Sequence, residues 1–172
     1  MNGSSDDAVP SRGESDAAPP VPFPERGRLL GMDYGTKRVG VALSNPDQTI
    51  ASPLETWEGQ DEAQEERRLK TLVEDYGVAG LVIGLPVHMS GAEGGMAAEA
   101  RAFGKYLAAV TGLPVRFWDE RFTSIEADEH LLSADLSRKK RKGIRDRLAA
   151  QILLQNYLDA PDRERSPGTI RD

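Results

Sequence analysis

The chain has 172 residues, of which 38% are hydrophobic, enough for one domain with its own core. Its net charge of −6 argues against a protein that coats nucleic acid non-specifically, and the absence of cysteine excludes disulfides and thiolate zinc sites. No apolar run approaches the ~20 residues that span a bilayer. Residues 1–20 also lack the apolar stretch of a secretory signal, so we expect a cytoplasmic protein without a membrane partner.

Both ends of the chain have the composition of loose tails. Residues 1–26 are acidic and rich in proline, and residues 161–172 are polar. Such segments bury too little apolar surface to fold. We therefore predict a disordered N-terminal tail, a folded domain at residues 27–160 and a flexible C-terminal tail.

Hydrophobic periodicity divides the domain into alternating elements. Apolar runs predict five strands, at residues 29–33, 39–43, 50–57, 78–83 and 115–118. Helical spacing and caps predict four helices, at residues 62–76, 97–110, 123–132 and 144–158. Three strands in a row followed by helix–strand alternation predict an α/β fold, with a mixed sheet and helices on its faces.

Acidic residues stand where these elements end. Asp33 ends the first strand, and a carboxylate on a core strand is costly unless it is paired or holds a cation. Asp119 and Glu120 end the last strand on opposite faces, so at most one of them can face Asp33. Asp146 is in helical phase with two alanines of the apolar stripe on the last helix.

Carboxylates that converge in this way repel one another unless a divalent cation lies between them, and oxygen ligands favour Mg²⁺ or Mn²⁺. Two such ions can activate a water and stabilise the leaving oxygen in phosphodiester cleavage. The alternative is that each acid caps a turn, stays solvated or pairs with a neighbouring arginine. Spacing alone leaves both readings open.

Basic residues lie close to these acids in the sequence. Five of them follow one another in a predicted loop before the last helix: Arg138, Lys139, Lys140, Arg141 and Lys142. We predict that this run binds the phosphate backbone of a nucleic acid, which gives affinity without sequence choice. Lys37, Arg38 and Arg121 are further candidate phosphate contacts, with a solvated turn or a salt bridge to a nearby carboxylate as the alternative.

Four motifs, in this order, resemble the YqgF/RuvX family over residues 28–160. They are Asp-Tyr-Gly-Thr-Lys-Arg-Val-Gly at 33–40, Gly-Leu-Pro at 84–86, Asp-Glu-Arg-Phe-Thr-Ser at 119–124 and Lys-Gly-Ile-Arg-Asp-Arg-Leu-Ala-Ala at 142–150. The resemblance implies an RNase H-like fold with a mixed five-stranded sheet and helices on both faces. The loop at residues 87–95 departs from the family pattern, which leaves its substrate contacts open.

The resemblance also implies an activity and a site. It implies a metal-dependent endonuclease that matures the 5′ end of pre-16S ribosomal RNA, with Holliday junction resolvase-like cleavage of branched DNA as the alternative. By the same resemblance Asp33, Glu120 and Asp146 are the catalytic acids that bind Mg²⁺ or Mn²⁺, with Asp119 as second choice. The sequence leaves open whether the protein is a monomer or a homodimer.

Two further functions compete with cleavage. A nucleic-acid-binding or transcription-associated module could keep the acids without cutting. The pattern Asp-x-Gly-Thr at residues 33–36 also occurs in the first phosphate loop of actin-like ATPases. Those proteins need two such domains, whereas the length of this chain predicts one.

Overall fold

The computed structural model describes residues 22–58, 61–86, 92–119 and 138–164. These residues form five strands and three helices. In chain order they are β1 (Arg28–Tyr34), β2 (Arg38–Ser44), β3 (Ala51–Glu58), α1 (Glu62–Tyr76), β4 (Val78–Leu85), α2 (Gly95–Thr111), β5 (Val115–Asp119) and α3 (Arg138–Asp159). The helix predicted at residues 123–132 lies outside the described residues.

The five strands form one sheet in the order β3-β2-β1-β4-β5. β2 is antiparallel to both β1 and β3, whereas β4 is parallel to β1 and β5 is parallel to β4. This arrangement confirms the mixed sheet that the order of elements predicted, and it agrees with the five-stranded RNase H-like fold that the family resemblance implies. Because β1, β4 and β5 run in the same direction, their C-terminal ends lie along one edge of the sheet.

Helices cover both faces of this sheet and bury two separate cores. The face covered by α1 and α2, here called the two-helix face, buries large side chains such as Leu30, Met32 and Ile83. The opposite face, here called the α3 face, buries Leu29 and Val82 against α3. Burying one side chain of this size contributes about 1.5–3 kcal/mol, so the apolar contacts set the position of all three helices.

Local capping explains why α1 leads directly into the centre of the sheet. The Asp61 carboxylate accepts a hydrogen bond from the Gln64 backbone N–H at 2.8 Å, which satisfies one of the free donors at the start of the helix. Gly77 ends the helix with a φ of +61°, and its N–H donates to the Val73 carbonyl. A left-handed residue of this kind reverses the chain in one step, and β4 begins at the next residue.

The start of α3 differs from the sequence-based expectation. The basic run at residues 138–142 was predicted as a loop before a helix that starts at Ile144, but α3 already begins at Arg138. That prediction was wrong because a run of like charges suggests a solvated loop, although Lys and Arg have high helix propensity. The buried stripe from Ala149 to Leu158 anchors the helix, and the basic run extends it by more than a turn.

Residues outside 27–160 also pack against the domain. The Phe23 ring meets the Tyr157 ring edge-on at 5.8 Å. The Arg163 guanidinium lies over the Tyr157 ring, 5.3 Å from its centroid. The same guanidinium donates hydrogen bonds to the Gln48 side-chain oxygen at 2.9 Å and to the Leu158 carbonyl at 2.8 Å. The packed region therefore extends beyond the boundaries that composition predicts on both sides.

Among the helices of the described ranges, none has the length and apolar composition needed to cross a bilayer.

Candidate active site

Asp33 lies near the end of the central strand β1, on the face that α3 covers. It is half-buried and pairs with Gly40 of β2. Side chains alternate along a strand, so Asp33 shares a face with Leu29 and Gly31. Both of these residues contact the α3 side, since Leu29 belongs to the core under α3 and the Gly31 backbone lies directly beneath Leu154.

The register of the parallel strands sets what lies beside Asp33 along the edge of the sheet. Met32 pairs with Ile83 of β4, and Ile83 pairs with Phe117 of β5. One residue further along, Asp33 is therefore level with Gly84 and Trp118, and all three share the α3 face.

Trp118 and Asp119, at the end of β5, have their side chains on opposite faces of the sheet. The Trp118 ring packs edge-on against Tyr157 of α3, with ring centroids 5.2 Å apart. Phe117 belongs to the two-helix face, where the Arg101 guanidinium lies 5.1 Å above its ring. By alternation Asp119 lies on that same two-helix face, opposite to Asp33. Glu120, the next residue, lies outside the described residues, as does Arg121.

The strand positions that flank Asp33 are glycines. Gly40 pairs with Asp33 on the β2 side, and Gly84 is level with it on the β4 side. Neither residue carries a side chain, so nothing beyond the backbone projects from these two positions on the α3 face. The carboxylate therefore has no bulky neighbour on the adjacent strands.

The direction of α3 brings its N-terminal half toward the same edge of the sheet. Leu154 lies against Gly31, and Tyr157, further along the helix, lies against Phe23, which precedes β1. The helix therefore runs opposite to β1, so its earlier residues extend toward the end of β1. Asp146 is one of them, eight residues before Leu154, or about 12 Å at 1.5 Å per residue.

The predicted phosphate contacts fall into two groups. Lys37 is exposed in the turn between β1 and β2, and the Arg38 Nε lies 3.2 Å from a carboxylate oxygen of Glu58. An ion pair with a largely exposed carboxylate of this kind contributes little to stability. The basic run now belongs to the first turns of α3, where Lys140 is exposed and the first turn contains no acidic residue.

The structure describes the side chain of only one of the three predicted metal ligands, Asp33. Among the side chains that it does describe, no group of three or more His, Cys, Asp or Glu is arranged to hold a metal ion. The metal site therefore remains a prediction, with one carboxylate located and its surroundings known.

A second feature was not predicted from the sequence. A cleft of about 750 Å³ opens on the two-helix face, between the β1–β2 turn and the helices α1 and α2. Tyr34 and Phe103 form part of its wall, and Glu62, Glu65 and Glu99 are among its acidic lining. On separate amphipathic helices these acids resemble ordinary solvated positions, and no local pattern in the sequence indicates that they converge.

Comparison with known proteins finds a family and relatives that match most of the chain. The RuvX family model, described as Holliday junction resolvase, matches residues 27–160. A protein of Moorella thermoacetica named "Putative pre-16S rRNA nuclease" is 48% identical over 132 residues, which cover 77% of this chain and 94% of that protein. A protein of the same name from Pelotomaculum thermopropionicum is 45% identical over 140 residues, with 80% and 90% covered.

The solved structures that match this chain are more distant in sequence. Thermus thermophilus RuvC in complex with a Holliday junction substrate is 16% identical, with a TM-score of 0.44 and coverage of 76% of this chain and 94% of that one. The Fowlpox virus resolvase in complex with Holliday junction DNA is 11% identical, with a TM-score of 0.48 and coverage of 76% and 96%. Membership rests instead on the family match, which spans all five strands and all three helices of the described residues: this chain belongs to the RuvX family.

Proposed function

We propose that this protein is a divalent-metal-dependent endonuclease that hydrolyses phosphodiester bonds in structured RNA, and that it acts in maturation of the 5′ end of pre-16S ribosomal RNA. The names of relatives that are 45–48% identical over most of the chain support the substrate. The observation that carries the chemistry is the position of Asp33, a half-buried carboxylate at the end of the central strand, flanked by two glycines and facing α3.

The proposed metal ligands are Asp33, Glu120 and Asp146. Alternation along β5 favours Glu120 over Asp119, because position 120 follows Trp118 on the α3 face if the strand continues. The course of α3 brings position 146 toward the same edge. A ligand set made only of carboxylate oxygens fits Mg²⁺ or Mn²⁺ and does not fit a softer metal.

The chain's own residues supply position and affinity. β1 lies between β2 and β4 at the centre of the sheet. Its ladder to β2 includes Asp33, and its ladder to β4 extends to the preceding residue, Met32, so the backbone at Asp33 is fixed. Gly40 and Gly84 leave space beside it for a phosphate group. The basic run of α3, with Lys37 and Arg121, would hold the phosphate backbone across this edge. When bound, the cation would polarise the phosphate and lower the pKa of the attacking water.

The decisive experiment measures cleavage of a precursor 16S ribosomal RNA fragment in Mg²⁺ by matched carboxamide variants. Asp33→Asn should reduce the rate at least a hundredfold, while Asp119→Asn, the same change on the opposite face, should retain most of it. Thermal unfolding of each variant checks that the fold is intact. Equal rates for the wild type and Asp33→Asn would refute the assignment.

The choice between the two acids at the end of β5 has its own test. Glu120→Gln should behave as Asp33→Asn does in the same assay. If Asp119→Asn were inactive and Glu120→Gln active, both with unchanged thermal unfolding, Asp119 would be the ligand and Glu120 would not.

Cleavage of branched DNA is the second candidate, because the matching family is described as Holliday junction resolvase. The acids would act in the same way on either sugar, since recognition of the 2′-hydroxyl depends on surfaces around the site. Rates on a four-way DNA junction and on the ribosomal RNA fragment, measured with one preparation, separate the two. Binding of both without metal-dependent turnover would instead indicate a non-cleaving module.

We also infer a cytoplasmic location, because the proposed substrate is a precursor ribosomal RNA of a bacterial cell. Mapping of ribosomal RNA 5′ ends in cells depleted of this protein tests substrate and location together. Complementation with the wild type should restore the mature end, and complementation with Asp33→Asn should not. Normal 5′ ends in depleted cells would contradict the proposed substrate.

A further inference from the structure

The cleft on the two-helix face has aromatic side chains in its lining. Its volume of about 750 Å³ lies within the range of small-molecule sites. The Tyr34 ring is 4.8 Å from the Phe103 ring with an interplanar angle of 36°, and Phe103 is itself buried in the core. The Tyr106 hydroxyl donates to the Glu62 carbonyl at 3.2 Å, which ties α2 to the start of α1 across the cleft.

The interior of the cleft is electronegative. Its charged lining consists of Glu58, Glu62, Glu65 and Glu99 with Lys37 and Arg38. Arg38 pairs with Glu58 and Lys37 is exposed on the turn, so the remaining three glutamates dominate the interior. Burial raises the pKa of Glu65, with added repulsion from Glu62 and Asp61. Such an interior repels phosphate and favours groups that present N–H donors.

The entrance of the cleft adjoins the proposed active site. Tyr34 follows Asp33 directly in β1, and the two side chains lie on opposite faces of the sheet. The turn at residues 35–38 forms the rim between them, with Lys37 exposed on it. A nucleic acid strand whose cleaved phosphate lies at Asp33 would therefore carry its next nucleotide across this rim, where Lys37 can meet the phosphate outside the acidic interior.

We propose that the cleft receives one unpaired nucleobase of the substrate strand, adjacent to the cleaved phosphate, and selects bases that carry an exocyclic amino group. This inference rests on the proposed function and adds a specificity site to it. Aromatic faces stack on any base. The carboxylates accept hydrogen bonds from the amino groups of guanine, cytosine or adenine, as Glu and Asp accept from cytosine N4 in duplex DNA. Uracil has no exocyclic amino group, and its N3–H lies between two carbonyl oxygens that the carboxylates repel, so uracil is disfavoured.

Binding of short fluorescein-labelled RNA strands, followed by anisotropy, tests this without cleavage. One unpaired nucleotide at a time is made guanosine, cytidine, adenosine or uridine, and the protein carries Asp33→Asn to prevent turnover. At one position the amino-bearing bases should bind about tenfold more tightly than uridine, the effect of one hydrogen bond to a charged group. Adding Glu65→Gln and Glu99→Gln should abolish that preference.

Two further variants make the result specific to the cleft. Glu74→Gln makes the same change in charge at an exposed position of α1 outside the cleft and should keep the preference. Tyr34→Leu should weaken binding of all four nucleotides about tenfold through lost stacking. If Tyr34→Leu unfolds, the glutamate variants decide alone.

The outcomes separate this inference from the proposed function. Equal affinity for all four nucleotides at every position would overturn the nucleobase assignment, even if the enzyme cleaves ribosomal RNA in an Asp33-dependent way. It would favour a cationic side chain of a partner protein as the occupant. An equal loss of preference in Glu74→Gln would also overturn the assignment. A base preference that depends on Glu65 and Glu99 would support it even in a protein that does not cleave.

Discussion

Replacing Gly31 with alanine tests how closely the sheet must approach α3. A β-carbon built on Gly31 would lie 2.7 Å from the Leu154 Cβ and 3.2 Å from its Cδ2. Carbon atoms prefer separations of about 3.5–4.0 Å, so the helix would have to retreat by about 1 Å. The first of these contacts is with the β-carbon, which is fixed to the helix backbone, so a change of rotamer cannot relieve it.

Two opposing effects set the size of the change in stability. Overpacking of this kind costs about 1–3 kcal/mol. Alanine also restricts the unfolded chain more than glycine does, which favours folding by about 0.4–1 kcal/mol. We therefore expect Gly31→Ala to lower the free energy of unfolding by about 1–2 kcal/mol. Because α3 carries Asp146, a retreat of about 1 Å should also slow cleavage about a hundredfold, the usual effect of such a misplacement.

Urea unfolding at 25 °C and the ribosomal RNA cleavage assay measure the two effects on one preparation. Gly95→Ala is the matched control, because a β-carbon on this first residue of α2 would meet nothing within 4 Å. It should raise the free energy of unfolding by about 0.4–1 kcal/mol, the effect on the unfolded chain alone, and leave the rate close to the wild type. Leu154→Ala should not rescue Gly31→Ala, since alanine keeps the β-carbon that causes the clash. If Gly31→Ala is as stable as Gly95→Ala, or if Leu154→Ala rescues it, the packing argument is wrong.

Three other predictions concern acid titration, a buried amide and the cation. Burial raises the pKa of Glu55, but hydrogen bonds from Arg68 and Trp57 and the Arg68 charge outweigh it and leave the pKa below its usual value. The stability that this carboxylate contributes is therefore present above the ordinary glutamate pKa and is lost as the pH falls through the lowered pKa. The free energies of unfolding of the wild type and of Glu55→Gln, measured in urea, should therefore become equal in acid. A difference that stays constant with pH would contradict this. Gln48→Ala should lower the free energy of unfolding by about 1–3 kcal/mol, because the buried amide of Gln48 donates to two backbone carbonyls and accepts from Arg163. An unchanged free energy of unfolding would contradict this. Chelation by EDTA should abolish cleavage of the ribosomal RNA fragment and Mg²⁺ or Mn²⁺ should restore it, whereas turnover in EDTA would exclude a metal-dependent reaction.

The sequence predicted the sheet well because its signals are local. Each strand is a short apolar run, and Gly77 and Asp61 are the ordinary end signals of a helix. Three strands in a row followed by helix–strand alternation then allowed few sheet topologies. The start of α3 was predicted six residues too late, because the charge of the basic run suggested a loop and its helix propensity was not weighed against that.

Features that depend on distant residues could not be predicted in this way. The acidic cleft joins Glu65 of α1 to Glu99 of α2, and each of these residues resembles a solvated position on its own helix. The contact between Arg163 and Gln48 spans 115 residues of sequence and leaves no local pattern. For the proposed acids, spacing indicated strand and helix ends, and only the resemblance to a family selected Glu120 over Asp119.

The two faces of the sheet are filled differently near Asp33. The two-helix face is filled by large side chains such as Met32 and Ile83, whereas at the same level the α3 face carries Gly31, Gly40 and Gly84. Glycine inside a strand costs conformational entropy and buries no side chain, so three of them in one region weaken the sheet. We infer that the α3 face keeps these glycines because Gly31 lets α3 pack closely against the sheet, and Gly40 and Gly84 leave a phosphate group room beside Asp33. The large core on the opposite face would then supply the stability that the glycines give up.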